Sequence, residues 1–596
     1  MEINYFKSKK LDLGKLKKQF EKEQQQEEEE NSKKVKYNAF NISELQNYNP
    51  IYSLFFEMNE TTYNHISLNH PRHIVDLTTV YNEKLQKKIP NNPIFFKYAP
   101  LLDPVHYLIG KYEKENSNLR NLPKYNIETN AIPKITSVFN TAYIDCFFSY
   151  LSSQLLNNYE FKNGIDFYGS YLGIQQKFKM NITDDYDYLL ESKFFHSQKN
   201  KLYEIETLSI DIDIEKEDLQ KEKNPKLIFG EECNLEVDIY ENEVVENIPQ
   251  NISSNEIDTL ELVYEYNEDE EDVDDECSLL SYSSTNSENH EEDEDEIKDD
   301  DEIKDDDEKE EDDEKEDDDE KEEWSDIDDD LSSCEPEIFG YIHDFPVQMI
   351  CLEKCEGTFD YLLENNILND EQIISALFQI IMTLIAYQKA YYFTHNDLHT
   401  NNIVFISTKT EFIEYEYSNI KYKIPTYGRI FKIIDFGRSI YKFQDKVLCS
   451  DSFAPGGDAH TQYNFEPFLN KNKPRLEPNF SFDLARLGCS LYDFVFNNED
   501  EEEIRKNVLQ WTELQELVVR WCTDDNGKNI LYKKSGEERY PNFKLYKMIA
   551  RTIHGCTPEE QLKNPIFSRF IITKTITIPK KNSIFISIDK IPKLYS

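Results

Sequence analysis

A long acidic run near the middle of the chain limits how the rest of it can fold. Between about residues 256 and 330 the sequence repeats Asp and Glu in blocks such as EDEDEIKDDDEIKDDDEKEE, and this run supplies most of the net charge of −51. Like charges at this density repel one another, and the run has too few apolar residues to bury a core. We therefore predict that residues 204–338 form a largely disordered acidic insertion.

The sequence on either side of the insertion is rich in Tyr, Phe, Ile and Leu, enough for a sizeable core in a chain of 596 residues. The start of the chain alternates Lys with Glu and Gln, so we expect a solvated helix or disorder there. We divide the chain into a charged N-terminal segment (1–36), a first ordered part (37–203), the insertion (204–338), a short ordered segment (339–355), a second ordered part (356–570) and a tail (571–596).

Composition also bears on compartment. The sequence has no run of 18 or more apolar residues, so we expect no membrane span, and its N-terminus lacks the apolar run of a signal peptide. The closest two of its ten cysteines, Cys351 and Cys355, have no second pair or nearby histidine. We expect buried, reduced thiols in a reducing compartment and no zinc site.

Hydrophobic periodicity predicts the elements that would carry a site. Ile144, Phe147, Phe148, Leu151, Leu155 and Leu156 follow a 3.6-residue repeat. The predicted elements are a strand in Asn92–Pro104, a helix over Ala142–Tyr159, two short paired strands in Gly164–Gln175, a strand running into a helix in Pro346–Leu363, and a long buried helix over Asp370–Ala390 capped by Asn369 or Asp370.

Two polar motifs lie beside apolar strands in the second ordered part. HNDLHTNN, from His395 to Asn402, precedes the apolar run IVFI, and IIDFG places Asp435 at the end of another. Phosphoryl transfer from ATP needs a carboxylate to orient the acceptor hydroxyl and oxygen ligands for Mg²⁺. Asp397, Asn402 and Asp435 are suitable residue types for these tasks.

The order H-x-D-L-x-x-x-N, apolar strand, D-F-G resembles the protein kinase superfamily. With its large acidic insertion, the chain looks like the divergent kinase-like proteins of giant DNA viruses. The resemblance implies an α+β, bilobal fold with a small β-rich N-lobe and a larger, mostly helical C-lobe. It implies ATP and Mg²⁺ as cofactors, Asp397 as catalytic base, and Asn402 and Asp435 as metal ligands. The 33 residues from Asn402 to Asp435 exceed the usual kinase spacing, and we expect a hairpin within Glu411–Phe431.

The resemblance implies further site residues. Lys97, after the apolar IFF, matches the strand lysine that holds the α- and β-phosphates, and Asp145 stands where its helix partner is normally a Glu. Backbone groups from Glu353 to Cys355 would meet the adenine ring. Asp483 in SFDLARLG matches the aspartate that braces the catalytic loop, and Glu466 in QYNFEP matches the end of the activation segment.

Three departures from the kinase pattern stand out. No glycine occurs between Gly14 and Gly110, so the glycine-rich phosphate loop is absent, and Asn59–His70 is the candidate lid. His399 replaces a catalytic lysine; we expect it to act in catalysis, although an unperturbed histidine is only partly charged at neutral pH. Asn396 replaces the arginine that normally binds a phosphorylated activation loop, so we expect no switching of that kind.

We expect a Ser/Thr protein kinase that takes ATP and a protein substrate. A pseudokinase or binding scaffold is the first alternative, favoured by the missing glycine loop. A small-molecule kinase is the second, because H-x-D-L-H also occurs in the aminoglycoside phosphotransferase type. The insertion suits basic protein partners, although a plain solvated segment is the simpler interpretation, and we expect neither nucleic-acid nor membrane binding. We place the protein in the cytoplasm or, if viral, in the virion or infected-cell cytoplasm.

Overall fold

The computed structural model describes residues 4–7, 9–27, 37–112, 118–126, 130–207, 337–496, 504, 508–533, 535–573 and 582–596. They form a mixed α+β fold with one five-stranded sheet and several smaller sheets. Most of the predicted acidic insertion, residues 208–336, lies outside the described residues.

The strands are numbered in chain order. They are β1 (Tyr5–Lys7), β2 (Ile42–Gln46), β3 (Ile66–Leu68), β4 (Arg72–Asp76), β5 (Thr79–Asn82), β6 (Lys87–Ile89), β7 (Ile94–Pro100), β8 (Phe167–Asn181), β9 (Tyr203–Thr207), β10 (Ile338–Glu353), β11 (Gly357–Thr358), β12 (Ile403–Ser407), β13 (Phe412–Tyr417), β14 (Ile420–Pro425), β15 (Arg429–Ile433), β16 (Ile440–Phe443), β17 (Lys446–Cys449) and β18 (Ser583–Ser587).

The helices are numbered in the same way. They are α1 (Leu13–Glu27), α2 (Pro104–Leu108), α3 (Pro133–Thr136), α4 (Thr141–Tyr159), α5 (Tyr186–Glu191), α6 (Lys193–Gln198), α7 (Phe359–Glu364), α8 (Asp370–Tyr391), α9 (Phe482–Val495), α10 (Glu513–Trp521), α11 (Lys544–Thr552), α12 (Pro558–Gln561) and α13 (Pro565–Ser568).

The five-stranded sheet has the order β2–β8–β10–β7, and β9 pairs with the start of β10. All of these pairs are antiparallel. The strand predicted within Asn92–Pro104 is confirmed as β7, and its Lys97 lies opposite Ile350 of β10. The predicted insertion, 204–338, includes residues that belong to the sheet, because residues 204–207 of β9 pair with residues 338–341 of β10.

The prediction of two short paired strands in Gly164–Gln175 is wrong. Residues 167–181 form one continuous strand, β8, that pairs with β10 along most of its length. A Cβ atom at Gly173 would lie 2.3 Å from Cγ2 of Ile42, so glycine there permits the close approach of β2. Gly173 therefore serves strand packing.

Two long helices supply much of the core, and both were predicted. α4 begins after Asn140, whose side chain accepts the Ala142 N–H, and its predicted apolar stripe is buried, with Leu156 partly so. α8 begins after Asn369, which forms a capping box with Gln372. α8 is long and apolar enough to cross a membrane, but 94% of its most apolar window is buried inside the protein.

The expected hairpin is confirmed as β13 and β14. The strand β18 pairs in parallel with β13, and the N–H of Leu594 donates to the carbonyl of Ala390 at the end of α8. Residues 582–596, which we assigned to the tail 571–596, therefore belong to the fold. Residues 574–581 lie outside the described part.

The charged N-terminal segment is also more integrated than expected. Its helix, α1, buries Leu16 completely in a small apolar cluster that includes Phe40, Ile94 and Met349. The helix that was one of the two expectations is therefore confirmed over residues 13–27, and Leu16 attaches it to the fold. The cysteines of the described residues are all free thiols and all buried except Cys355, which is partly exposed, as the sequence predicted.

Candidate functional site

The site is centred on one lysine that contacts two aspartates. Nζ of Lys97, on β7, lies 2.7 Å from Oδ2 of Asp145 on α4 and 2.9 Å from Oδ1 of Asp435, two residues after β15. Lys97 and Asp435 keep 26% and 30% of their side-chain surface exposed, whereas Asp145 keeps 4%. The structure therefore brings together three residues that are 338 positions apart at the extremes.

Phe436 links the segment that carries Asp435 to the helix that carries Asp145. The N–H of Phe436 donates to Oδ1 of Asp145 at 2.9 Å. The ring of Phe436 is completely buried, with centroids 4.6 Å from Phe148 of α4 and 5.7 Å from His395. Because α4 contributes both Asp145 and Phe148, a shift of this helix would disturb the polar contact and the aromatic contact together.

The charges of the three groups depend on one another. Burial disfavours the Lys97 ammonium, yet Asp145 and Asp435 raise its pKa above the usual value. Burial raises the pKa of Asp145 despite the nearby lysine. Burial also acts to raise the pKa of Asp435, but Lys97 outweighs it and the net shift is downward. The arrangement offers one cation and one partly exposed carboxylate that is stable in its charged form.

A buried aspartate of α9 braces the loop that carries Asp397. Oδ1 and Oδ2 of Asp483 accept the N–H of His395 at 3.0 and 2.9 Å, and Oδ1 also accepts the N–H of Asn396 at 2.9 Å. The predicted bracing contact is thus confirmed. The Asn396 side chain is buried, donates to the carbonyl of Arg438 and accepts from the hydroxyl of Tyr463.

Asp397 lies among groups that the sequence reasoning did not identify. The hydroxyl of Tyr546, on α11, donates to its Oδ1 at 2.8 Å. Burial acts to raise the pKa of Asp397, but Arg438, His399 and Arg486 lower it to about 2. Arg486 is completely buried on α9, and a charged residue within the apolar stretch LARLG was a signal that an acidic or aromatic partner had to lie nearby.

His399 is not the partial cation that we expected. Burial, together with Arg486 and His395, lowers the pKa of His399 to about 4, so the imidazole is neutral at neutral pH. Its Nε2 lies 3.0 Å from Nδ2 of Asn402 and accepts from that amide. Nδ2 of Asn402 also donates to the carbonyl of Asp397 at 2.9 Å. Because both bonds use Nδ2, the amide oxygen is the atom of Asn402 that could bind a metal.

The segment predicted to meet adenine is held by other contacts. The N–H of Glu353 donates to the carbonyl of Asp166, and the N–H of Lys354 donates to the carbonyl of Pro93. The Glu353 carboxylate forms an ion pair with Lys432 on β15, whose side chain is 2% exposed. The N–H groups of Glu353 and Lys354 are therefore engaged within the protein, and the contact of backbone groups from Glu353 to Cys355 with adenine stays a prediction. Cys355 lies beside them and is partly exposed.

The remaining predicted features are placed as follows. Within Asn59–His70, the segment Ile66–Leu68 pairs with β1, and Asn69 accepts from the hydroxyl of Tyr150 on α4. Glu466 is exposed. Within the described residues, no group of three or more His, Cys, Asp or Glu side chains is arranged to hold a metal. Any metal bound by Asn402 and Asp435 would complete its coordination with other oxygen atoms, which is usual for Mg²⁺.

No family model matches the chain, and no curated protein matches it.

Proposed function

We propose that this chain is an ATP-dependent phosphotransferase with a bilobal, protein-kinase-like fold, and that it transfers the γ-phosphoryl group of ATP to protein Ser or Thr hydroxyls. The observation that carries the proposal is the contact of Lys97 with both Asp145 and Asp435. A lysine between two carboxylates beside the D-F-G and H-x-D-L-x-x-x-N motifs supplies a cation for the non-transferred phosphates.

The chain's own residues divide the work as follows. Asp397, held ionised by neighbouring cations, accepts the proton of the acceptor hydroxyl. The acceptor oxygen then bonds to the γ-phosphorus as the bond to the β–γ bridging oxygen breaks, which releases ADP. Asn402 and Asp435 would hold Mg²⁺, which neutralises charge on the phosphate oxygens when it is bound. Both residues have oxygen atoms suited to that ion.

Fewer backbone groups of Glu353–Cys355 are free to bind adenine than the kinase resemblance implies. With the N–H groups of Glu353 and Lys354 donating elsewhere, the carbonyl groups of this segment and the Cys355 backbone are what remains for the adenine ring. The lack of a glycine-rich loop favours weak nucleotide binding, and a binding scaffold without activity is the second candidate function for that reason.

The test uses purified full-length protein with Mg·ATP. We expect a thermal shift on nucleotide addition, and transfer of labelled phosphate to casein or histone. Lys97→Met should abolish both, while Asp397→Asn should keep the shift and lower transfer about 100-fold or more. Lys446→Met, which removes a partly exposed lysine whose ion-pair partner is Asp445, is the matched control and should behave as the wild type.

Each outcome separates the candidates. Nucleotide binding without transfer to any acceptor would favour the scaffold. Transfer to aminoglycosides or sugars but not to proteins would favour a small-molecule kinase. Absence of both binding and transfer in the wild type would refute the phosphotransferase proposal.

A further inference from the structure

The tyrosine that contacts Asp397 belongs to a rigid part of the fold. Tyr546 lies in the first turn of α11, and only 9% of its surface is exposed. Its ring stacks on Phe543 with centroids 5.3 Å apart and lies 6.2 Å from Phe482 of α9. A side chain packed in this way on two helices has little freedom to leave its position.

Two cations hold the same ring. The guanidinium carbon of Arg486 lies 5.0 Å from the Tyr546 ring centroid, and that of Arg438 lies 5.8 Å from it. Arg438 is held in turn by an ion pair with Asp458. Such cation–π contacts stabilise the ring and bring positive charge close to Asp397.

The contact with Asp397 uses one carboxylate oxygen. The Tyr546 hydroxyl donates to Oδ1 at 2.8 Å, a charge-assisted hydrogen bond. Asp397 nevertheless stays partly exposed, so the tyrosine does not cover the whole carboxylate. Burial raises the pKa of the Tyr546 hydroxyl, which keeps the proton on the tyrosine and fixes the direction of donation.

We propose that Tyr546 is a positioning residue for Asp397: its hydroxyl holds Oδ1 and thereby directs the second oxygen, Oδ2, to the acceptor hydroxyl. The inference rests on the proposed phosphotransferase function and adds to it a residue from a distant helix. A carboxylate that is fixed by one oxygen loses less freedom when the other oxygen binds the acceptor, which favours the reactive arrangement.

The experiment removes the hydroxyl and then restores a donor. Tyr546→Phe deletes one oxygen and keeps the ring packing, and 4-aminophenylalanine at position 546 returns an N–H donor at the same place. The matched control is Tyr415→Phe, because Tyr415 of β13 is also buried and its hydroxyl donates to Oδ1 of Asn163 at 2.8 Å. For each full-length protein we would measure melting temperature, kcat, and KM for ATP, with casein as acceptor.

We expect Tyr546→Phe to lower kcat about tenfold or more with KM for ATP unchanged, because a hydrogen bond to a charged group is lost at the reacting residue. The 4-amino variant should recover most of that loss. Tyr415→Phe should lower the melting temperature by about as much as Tyr546→Phe does and leave kcat unchanged. If Tyr546→Phe does not fold, the 4-amino variant alone tests the proposal, since it must retain wild-type kcat.

Several results would overturn the inference. A wild-type kcat in Tyr546→Phe would show that the hydroxyl positions nothing. A higher kcat would show that Tyr546 obstructs the acceptor site. A loss in Tyr546→Phe that Tyr415→Phe reproduces would show a purely structural role. If the wild type itself transfers no phosphate, the proposed function fails and the inference fails with it.

Discussion

The buried ion pair between Lys432 and Glu353 gives the sharpest test of how this fold is held together. Lys432 is 2% exposed in its side chain and Glu353 is 16% exposed. Nζ of Lys432 also donates to the carbonyl of Gly164 at 2.8 Å, and the Glu353 carboxylate accepts the N–H of Asp166 at 2.8 Å. The pair therefore joins the end of β10 to β15 and to the turn before β8.

Lys432→Met removes one partner and keeps a side chain of similar length. It leaves the Glu353 carboxylate largely out of water with one N–H donor in place of two. Breaking a buried pair in this way costs about 3–5 kcal/mol, because the remaining charge is uncompensated. Against a total stability of about 5–15 kcal/mol for a folded domain, this is a large fraction.

The double variant Lys432→Met/Glu353→Gln separates charge from packing. The glutamine keeps an oxygen to accept the Asp166 N–H but carries no charge. We therefore expect the double variant to be more stable than Lys432→Met by about 1–3 kcal/mol, since removing both charges avoids the uncompensated one. Urea unfolding followed by tryptophan fluorescence gives each free energy from the midpoint and slope.

Lys446→Met serves as the exposed counterpart. Lys446 and Asp445 form an ion pair with 28% and 56% exposed side chains, and such surface pairs contribute about 0–1 kcal/mol. The reasoning would be refuted if Lys432→Met cost no more than Lys446→Met, or if the double variant were less stable than Lys432→Met.

Three further predictions use other parts of the chain. Asn369→Ala removes the capping box of α8 and should lower the free energy of unfolding by about 1 kcal/mol in urea, with Asn369→Asp close to wild type; equal midpoints for the alanine variant and the wild type would contradict it. Burial lowers the pKa of His70 to about 4 from a usual 6.5, so the contribution of His70 to the free energy of unfolding is fully present above pH 6.5 and is lost as the pH falls toward 4, on the order of 3 kcal/mol. His70→Gln should lose less free energy of unfolding than the wild type between pH 6.5 and 4. Equal losses in the variant and the wild type would refute the assignment. Deletion of residues 256–330 should leave the melting temperature nearly unchanged because their like charges prevent packing, and a large drop would show that they pack.

The sequence could predict those parts of the site that lie on strongly periodic elements. Lys97 follows an apolar strand, and Asp145 lies within a helix whose stripe was readable, so their placement needed only the element type and the order of motifs. Asp435 and Asp483 were likewise marked by short motifs. The resemblance of the motifs to the kinase pattern named these four residues, and the predicted strand and helix placed Lys97 and Asp145 on the correct elements.

The groups around Asp397 could not be found in the same way. Tyr546 meets Asp397 from 149 residues further along the chain, on a short helix with no motif of its own. Lys432 stands between two apolar residues of a strand and resembles an ordinary surface lysine in the sequence. Only the fold shows that its partner is Glu353. The low pKa of His399 could not be predicted for a related reason, since burial, Arg486 and His395 lower it.

The parallel pairing of β18 with β13 bears on the order in which the chain can fold. The partner of Phe412 is Ser583, 171 residues later, so this small sheet closes only after residues 583–587 have left the ribosome. Until then β13 has β14 on one side and an unpaired edge on the other, and such edges invite pairing with other chains. Slow release of the last segment would therefore favour aggregation through the hairpin, and shielding of this edge during synthesis would favour recovery of folded protein.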